Sequence, residues 1–136
     1  MNYQETLHYL FNKLPMFSRI GAAAYKADLT NTIALCKAIQ NPQQNFKTIH
    51  IAGTNGKGST TQIITQLLIA HGLQVGTYTS PHLETLTERI SRNNEPISEQ
   101  DFADCVAAIA DIEVIGGVRP SYFEIMTAAA FRYFAD

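Results

Sequence analysis

The sequence is poor in charge and has no long apolar run. Only 16% of its 136 residues are charged, against roughly 25% in an average soluble domain. Ten lysines and arginines stand against twelve aspartates and glutamates, so there is no basic surplus of the kind that nucleic-acid binders carry. No apolar stretch approaches the roughly 18 residues that cross a bilayer. We therefore expect neither nucleic acid nor a membrane as the main partner.

Cysteine is also scarce, and a targeting segment is missing. Cys36 and Cys105 are too few for a disulfide framework or a zinc site. Both lie in helical apolar patterns, where they act as small apolar residues, and this fits a reducing cytoplasm. The N-terminus lacks the basic and apolar regions of a signal peptide. The sequence predicts a cytoplasmic protein.

A chain of this length suits one domain, and it contains no internal repeat or linker. Apolar residues at three- and four-residue spacing predict helices over residues 3–14 and 29–40, and two more that open at Ser98 and Ser121. The side chains expected on the buried faces are Leu29, Ile33, Cys36 and Ile39 in the second helix, and Phe102, Cys105, Val106 and Ile109 in the third.

The centre of the chain predicts a strand–helix–strand unit. A β-branched strand over 47–52 leads into a glycine-rich loop, a helix over 61–71 closed by Gly72, and a second strand over 74–79. Such units place their strands in parallel. Two parallel strands are too few for a covered sheet, and the last residues are helical. We therefore expect the front part of a larger α/β protein.

The loop, Gly53-Thr54-Asn55-Gly56-Lys57-Gly58-Ser59-Thr60, has the composition of a phosphate cradle. Glycines let consecutive backbone N–H groups point at one anion, and the N-terminus of the following helix adds more donors and a partial positive charge. Lys57 would neutralise the β- and γ-phosphates, and Ser59 or Thr60 would offer a hydroxyl to Mg²⁺.

The spacing of this loop matches no standard motif. Only two residues separate Gly53 from Gly56, and Gly58 stands between Lys57 and Ser59. Both the strict P-loop pattern and the dinucleotide-binding pattern therefore fail. The alternative interpretation is a tight strand-to-helix turn with an incidental lysine.

The run from His50 to Ser59 resembles the phosphate loop of the folylpolyglutamate synthase/dihydrofolate synthase family, within the Mur ligase superfamily. Thr79-Ser80-Pro81-His82-Leu83 followed by Glu88-Arg89-Ile90 is similar to the second motif of that family, and Pro120-Ser121-Tyr122-Phe123-Glu124 to the third. The resemblance covers essentially the whole chain. It implies a P-loop NTPase-like parallel sheet with flanking helices, as the incomplete N-terminal portion of an ATP-binding domain.

The same resemblance implies an ATP-dependent amide ligase that acts through an acyl phosphate. Its substrates would be ATP, L-glutamate and a folate or dihydropteroate, and its cofactor Mg²⁺. Carried over onto this sequence, the triphosphate would be held by Thr54, Asn55, Gly56, Lys57, Gly58, Ser59 and Thr60, with Lys57 catalytic, and the metal by Ser80 and Ser59. The substrate would lie against Met16, Arg19, His82, Ser121, Tyr122, Phe123 and Glu124.

Several of these residues have plainer interpretations. Ser121 and Glu124 have the spacing of a capping box, which explains both without a substrate. Phe123 would then be a core aromatic residue. His82 has no partner carboxylate nearby in sequence, and Ser80 could be a turn residue before proline. Arg89 would bind an anion or pair with Glu84 or Glu88.

The chain also departs from the family. Three features of the family have no counterpart in this chain. They are the strand that ends in an acidic Mg²⁺ ligand, the later histidine and lysine, and the C-terminal domain. Serine hydroxyls alone make a weak magnesium site, so we expect no complete ligation by this chain alone. Asn94 replaces a glycine that is frequent in the family, in a turn whose left-handed backbone asparagine tolerates.

Three other functions are alternatives to this one. A small P-loop kinase or ATPase would need an acidic strand end, which the sequence lacks. A non-catalytic nucleotide-binding module would need a self-contained sheet. Another Mur-type ligase is the nearest relative, and the Ser80-to-Leu83 motif favours the folate branch. The parent enzyme is expected to be monomeric, whereas this chain is expected to self-associate through uncovered apolar surface.

Overall fold

The computed structural model describes residues 1–14, 21, 28–116 and 119–136. Its helices are α1 (Tyr3–Asn12), α2 (Thr30–Ala38), α3 (Lys57–Ala70), α4 (Glu99–Gly116) and α5 (Tyr122–Ala135), with short 3-10 turns at Pro42–Gln44 and Leu86–Arg89. Its strands are β1 (Gly76–Tyr78), β2 (Ile90–Arg92) and β3 (Glu95–Pro96). The contacts divide the chain into two compact units, Met1–Phe46 with Glu99–Asp136, and Lys47–Ser98.

The first unit is helical and carries most of the buried apolar side chains. Phe102, Val106 and Ile109 of α4 are fully buried, as their spacing predicts. The Tyr3 ring of α1 meets Phe102 edge-on, with ring centroids 6.0 Å apart, a geometry that aromatic rings favour. The unit is therefore organised around α4, which packs against α1, α2 and α5.

The two cysteines lie in this core and behave as the sequence predicts. Cys36 is 3% exposed and Cys105 is 6% exposed, and neither forms a disulfide. Burial raises the pKa of the Cys105 thiol to about 11, because a buried thiolate loses its hydration. The pKa of the Cys36 thiol is raised for the same reason. Both residues remain thiols and serve as packing.

Three apolar residues expected in cores are exposed instead. Leu29 and Ile33 are 66% and 62% exposed, and the core residues of α2 are Leu35 and Cys36. The prediction is confirmed for Cys36 and is wrong for Leu29 and Ile33, and the burial of Leu35 was not predicted. Phe123 is 56% exposed, which corrects its interpretation as a core aromatic residue. It directly precedes the buried Glu124 and Ile125 on α5.

The second unit contains a three-stranded antiparallel sheet. β2 pairs with β1 and β3, with Thr77 opposite Ser91 and Arg92 opposite Glu95. The β2–β3 hairpin turns at Asn93 and Asn94, whose φ angles of 50° and 70° are left-handed. Two left-handed residues are what a tight hairpin turn requires. The prediction that asparagine preserves this turn in place of glycine is confirmed.

The parallel arrangement predicted for this unit is not present among the described residues. Residues 47–52 have no regular secondary structure there, although their composition predicts a strand. β1 forms in the predicted segment, but its partner in the described sheet is antiparallel. Strand formation needs ladder hydrogen bonds from a neighbour, and none of the described segments supplies them to 47–52.

Helix α3 begins earlier than predicted and ends where predicted. It starts at Lys57, within the glycine-rich loop. At its end Gly72 has φ of 81°, and the N–H groups of Gly72 and Leu73 donate to the carbonyls of Ile69 and Leu68. These two bonds define a Schellman motif, which needs a left-handed residue at the position of Gly72.

Apolar side chains on the second unit are uncovered. Ile63 and Leu67 lie one turn apart on α3 and are 62% and 56% exposed, and Ile49 is 61% exposed. No helix of the described residues has the length and apolar character that crossing a bilayer would need. Exposed apolar side chains of this kind are where we expect self-association of the chain to occur.

Self-association of the chain is expected to depend on this surface. Converting Ile63 and Leu67 to glutamine removes two adjacent apolar side chains from one helix face. The double variant should elute later than the wild type in sizing chromatography at high concentration, and the two should converge on dilution. Wild-type protein that stays monomeric at every concentration would contradict the expectation.

Candidate phosphate-binding loop

The N-terminus of α3 offers backbone donors that no side chain occupies. Among the described residues, α1 and α5 carry capping boxes, from Asn2 with Glu5 and from Ser121 with Glu124. The N-cap of α3, Gly56, has no side chain, and no side-chain cap is formed there. The first intrahelical bond runs from the Thr60 N–H to the Gly56 carbonyl. The preceding N–H groups therefore lie at the open end of the helix, where an anion binds best.

The glycines leave room for a ligand in front of these donors. Gly56 has φ of 76°, a left-handed conformation that side-chain-bearing residues rarely adopt. A Cβ added at Gly56 or at Gly58 would meet no atom within 4 Å. Both positions therefore face open space rather than packed protein. A turn built only to connect two elements would not need this combination of glycine, open space and uncapped helix.

Lys57 is the first residue of α3, and its side chain folds back over the loop. Its Nζ donates to the Gly53 carbonyl at 2.6 Å and lies 3.4 Å from the Thr54 carbonyl. An ammonium group carries three hydrogens, so a third donor remains for a phosphate oxygen. The side chain holds the loop closed and keeps its positive charge beside the helix N-terminus.

The other residues predicted for the nucleotide lie around the same helix end. Thr54, Asn55, Ser59 and Thr60 are all exposed. Ser59 stands in the first turn of α3, and Thr60 makes the first intrahelical bond. The structure thus brings together the whole set predicted for the triphosphate, within one loop and one helical turn.

Both predicted metal ligands of this chain are serine hydroxyls. Ser59 lies in the glycine-rich loop and Ser80 follows β1, and both are exposed. No three His, Cys, Asp or Glu side chains cluster anywhere in the ranges that the structure covers. Mg²⁺ usually needs one or two carboxylates. Taken alone, the two serines do not complete a magnesium site.

The segment after Ser80 is ordered by a single carboxylate. Glu88 accepts hydrogen bonds from the backbone N–H groups of Leu83, Glu84 and Thr85 at 2.8, 2.9 and 2.8 Å. These bonds, the one from Leu83 most of all, hold the pKa of the Glu88 carboxyl below its ordinary value. Hydrogen bonds to the charged form of a carboxylate have this effect. Glu88 therefore fixes the backbone next to His82.

The order of this segment is expected to depend on pH. The folded-state pKa of Glu88 is lowered, so its contribution is complete above the ordinary value of 4.5 and disappears as pH falls through the lower folded-state value. The hydrogen-exchange protection factors of the Leu83, Glu84 and Thr85 amides, which correct for the intrinsic pH dependence of exchange, should fall on acidification, while those of a Glu88→Gln variant should show no such added step. Equal acid sensitivity of the two proteins would contradict this role.

His82 has a partner that the sequence interpretation did not assign. Arg89 Nε donates to His82 Nδ1 at 2.9 Å. The sequence suggests Arg89 as an anion ligand or as a partner of Glu84 or Glu88. The structure joins it to the histidine of the preceding motif, seven positions earlier in the chain, in addition to other interactions. Leu83, next to His82, is 93% exposed.

The substrate residues predicted at the start of α5 lie in the other compact unit. The Glu124 carboxylate accepts from the Ser121 N–H at 2.7 Å and from Asn31 Nδ2 at 3.2 Å. The Ser121 hydroxyl accepts from the Glu124 N–H. The capping-box interpretation is confirmed. Tyr122 is buried and Phe123 exposed, so of these residues only Phe123 offers a large accessible surface.

Two predicted substrate residues cannot be placed, and several observed side-chain contacts could not have been predicted from sequence spacing. Met16 and Arg19 lie outside the described residues. Asn31 was not predicted, although it links Glu124 to the Arg119 carbonyl. The amides of Gln66 and Asn94 also bond to each other in both directions. Side-chain pairs this far apart in sequence leave no periodic signal.

Comparison with known proteins identifies what this arrangement resembles. No family model matches the chain. The dihydrofolate synthase/folylpolyglutamate synthase of Bacillus subtilis is 36% identical over 138 residues, which is 98% of this chain and 30% of that protein. The crystallised folylpolyglutamate synthetase of Lactobacillus casei matches with a TM-score of 0.85 at 35% identity, over 98% of this chain and 33% of its own.

A further solved structure, a folylpolyglutamate synthase complex with AMPPCP and folate, matches with a TM-score of 0.85 at 37% identity, over 98% of this chain and 32% of its own. The chain thus spans about one third of the length of the relatives it matches. Its fold is that of one part of a known class of ligase. The resemblance to the folylpolyglutamate synthase/dihydrofolate synthase family is confirmed across almost the entire chain.

Proposed function

We propose that the chain is the nucleotide-binding front part of an ATP-dependent ligase that adds L-glutamate to a folate or dihydropteroate. The observation that carries the proposal is the uncapped, glycine-preceded N-terminus of α3 with Lys57 folded over it, in a chain related over 98% of its length to such synthases. The chain would form the N-terminal part of a cytoplasmic ATP-binding domain. The P-loop-type parallel sheet would be completed by the segments of the relatives that the chain does not match.

The chemistry assigned to this part is phosphoryl transfer. A carboxylate oxygen of the pteroate or folate attacks the γ-phosphorus of ATP, and ADP leaves. The amine of glutamate then attacks the acyl carbon, loses a proton and displaces phosphate. The first step depends on positioning and charge neutralisation. The α3 donors and the Lys57 ammonium supply both, next to the position where negative charge develops.

A magnesium ion would add its own charge to that of Lys57. Ser59 and Ser80 are the residues of this chain proposed to contribute hydroxyl oxygens to it. The remaining oxygens would come from the nucleotide, from water and from carboxylates outside this chain. For this reason the chain by itself is expected to bind nucleotide but not to complete ligation.

A chimera tests the proposed function directly. The segment of the Lactobacillus casei synthetase that aligns with this chain would be replaced by residues 1–136, and the product assayed with ATP, glutamate and either folate or dihydropteroate. We expect ATP-dependent incorporation of glutamate. The preferred acceptor shows which of the two synthase activities this part of the molecule supports.

Lys57→Ala in the same chimera is the matched control, because the lysine side chain is exposed and its loss leaves the cores of both units intact. It should remove most of the incorporation. A folded chimera without any ATP-dependent product, or one that is unaffected by Lys57→Ala, would overturn the proposal.

A further inference from the structure

The hydrogen bond between Arg89 and His82 determines which ring nitrogen of the histidine carries a hydrogen. Arginine has donors only and stays charged in proteins. Since Arg89 Nε donates to His82 Nδ1 at 2.9 Å, Nδ1 must be the acceptor. A neutral imidazole has one donor and one acceptor nitrogen. The hydrogen of His82 is therefore on Nε2.

The surroundings of His82 hold this ring in place. Arg89 is also tied to the segment through its backbone, because its carbonyl accepts from the Thr79 N–H at 2.9 Å. Glu88 binds the N–H groups that immediately follow His82. The histidine is half-buried, and Arg89 is its polar partner among the residues that the structure describes. The Nε2 hydrogen is thus left for a ligand.

We propose that Arg89 is a positioning residue that fixes His82 as an Nε2–H donor to an oxygen acceptor of the substrate. This inference rests on the proposed function for the identity of the substrate. The acceptor is a carboxylate or carbonyl oxygen of the pteroate substrate, or a phosphoryl oxygen of ATP.

Nitrogen-15 NMR of the histidine rings in this chain tests the structural half of the proposal. The chain has four histidines. The NMR signals of the His82 ring are identified as those that disappear in the His82→Gln variant. We expect a single tautomer with hydrogen on Nε2 in the wild type. Arg89→Met should give a mixture of both tautomers, and Arg92→Met, which removes a guanidinium from the neighbouring strand, should not.

The wild-type spectrum decides the structural half even where Arg89→Met unfolds. Hydrogen on Nδ1, or an unchanged ring in folded Arg89→Met, would overturn it.

The functional half is measured in the chimera described above. Loss of one hydrogen bond should raise one KM by about fivefold in both Arg89→Met and His82→Leu. A rise in the KM of the pteroate substrate assigns the acceptor to that molecule, and a rise in the KM of ATP assigns it to a phosphate.

Unchanged KM and kcat in both variants of an active chimera would overturn the positioning role alone. An inactive wild-type chimera would instead count against the proposed function, and the NMR result would still decide the tautomer.

Discussion

Lys57→Ala should weaken the binding of Mg·ATP to this chain by at least about tenfold, which corresponds to about 1.4 kcal/mol. Hydrogen bonds from charged groups contribute about 1.5–3 kcal/mol. The Lys57 ammonium retains one hydrogen after its contacts with the loop carbonyls. The substitution to alanine would remove both the proposed phosphate contact and the observed bond to the Gly53 carbonyl that closes the loop. Calorimetric titration of Mg·ATP into the two proteins measures the difference.

Lys37→Ala is the matched control for this titration. Lys37 lies in the last turn of α2, in the other compact unit, and its loss changes the net charge by the same amount. The affinity of the Lys37→Ala variant for Mg·ATP should equal that of the wild type. Equal weakening by the two substitutions would mean that Lys57 acts only through overall charge, which would contradict its placement at the phosphate site.

Phe102→Ala should lower the free energy of unfolding by about 3–5 kcal/mol. Phe102 is fully buried in α4 and contacts the Tyr3 ring of α1. Its removal leaves a cavity at the contact between two helices, and the surroundings fill such a cavity only in part. Urea denaturation followed by circular dichroism measures the loss.

Phe123→Ala provides the comparison within the same unit. This phenylalanine is also helical but is 56% exposed, so its replacement should change stability by no more than about 0.5 kcal/mol. The difference between the two variants isolates burial from helix propensity. A cost for Phe123→Ala as large as that for Phe102→Ala would contradict the burial assigned here.

Helices and their ends were the most predictable part of the fold. The inward residues of α4 follow from spacing because a long amphipathic helix has one face to bury. Ser121 and Glu124 predict a capping box from local chemistry alone, and both of its hydrogen bonds form. Gly72 is predictable for the same reason, since its role depends on the few residues before it. These signals are contained within one or two helical turns.

Strand pairing and helix orientation were less predictable because both depend on distant partners. Residues 47–52 have strand composition, but composition does not specify which segment supplies ladder hydrogen bonds. In α2, Ile33 and Leu35 are both apolar, and only packing against other helices determines that Leu35 is the buried one. The antiparallel pairing of β1 with β2 was likewise not visible in either segment.

In the candidate site, too, features set by local sequence were predicted, whereas those set by distant partners were not. Lys57 and the neighbouring glycines were identified from their types and order, and the family resemblance supported them. The partners of His82 and Glu124 were not identified, because Arg89 and Asn31 reach them through side-chain geometry. Sequence thus predicted which residues would meet the nucleotide, and the structure adds which residues hold other candidate site residues in position.

The central claim is that the N-terminus of α3 is a preformed phosphate site. The most direct test is a titration of ¹⁵N-labelled chain with Mg·AMPPCP, followed by backbone amide spectra. The account predicts that the amides of Lys57, Gly58 and Ser59 shift together and saturate, while those of Tyr122 and Phe123 at the capped start of α5 stay in place. Saturating shifts that leave Lys57, Gly58 and Ser59 unmoved, or no shifts at all, would contradict it.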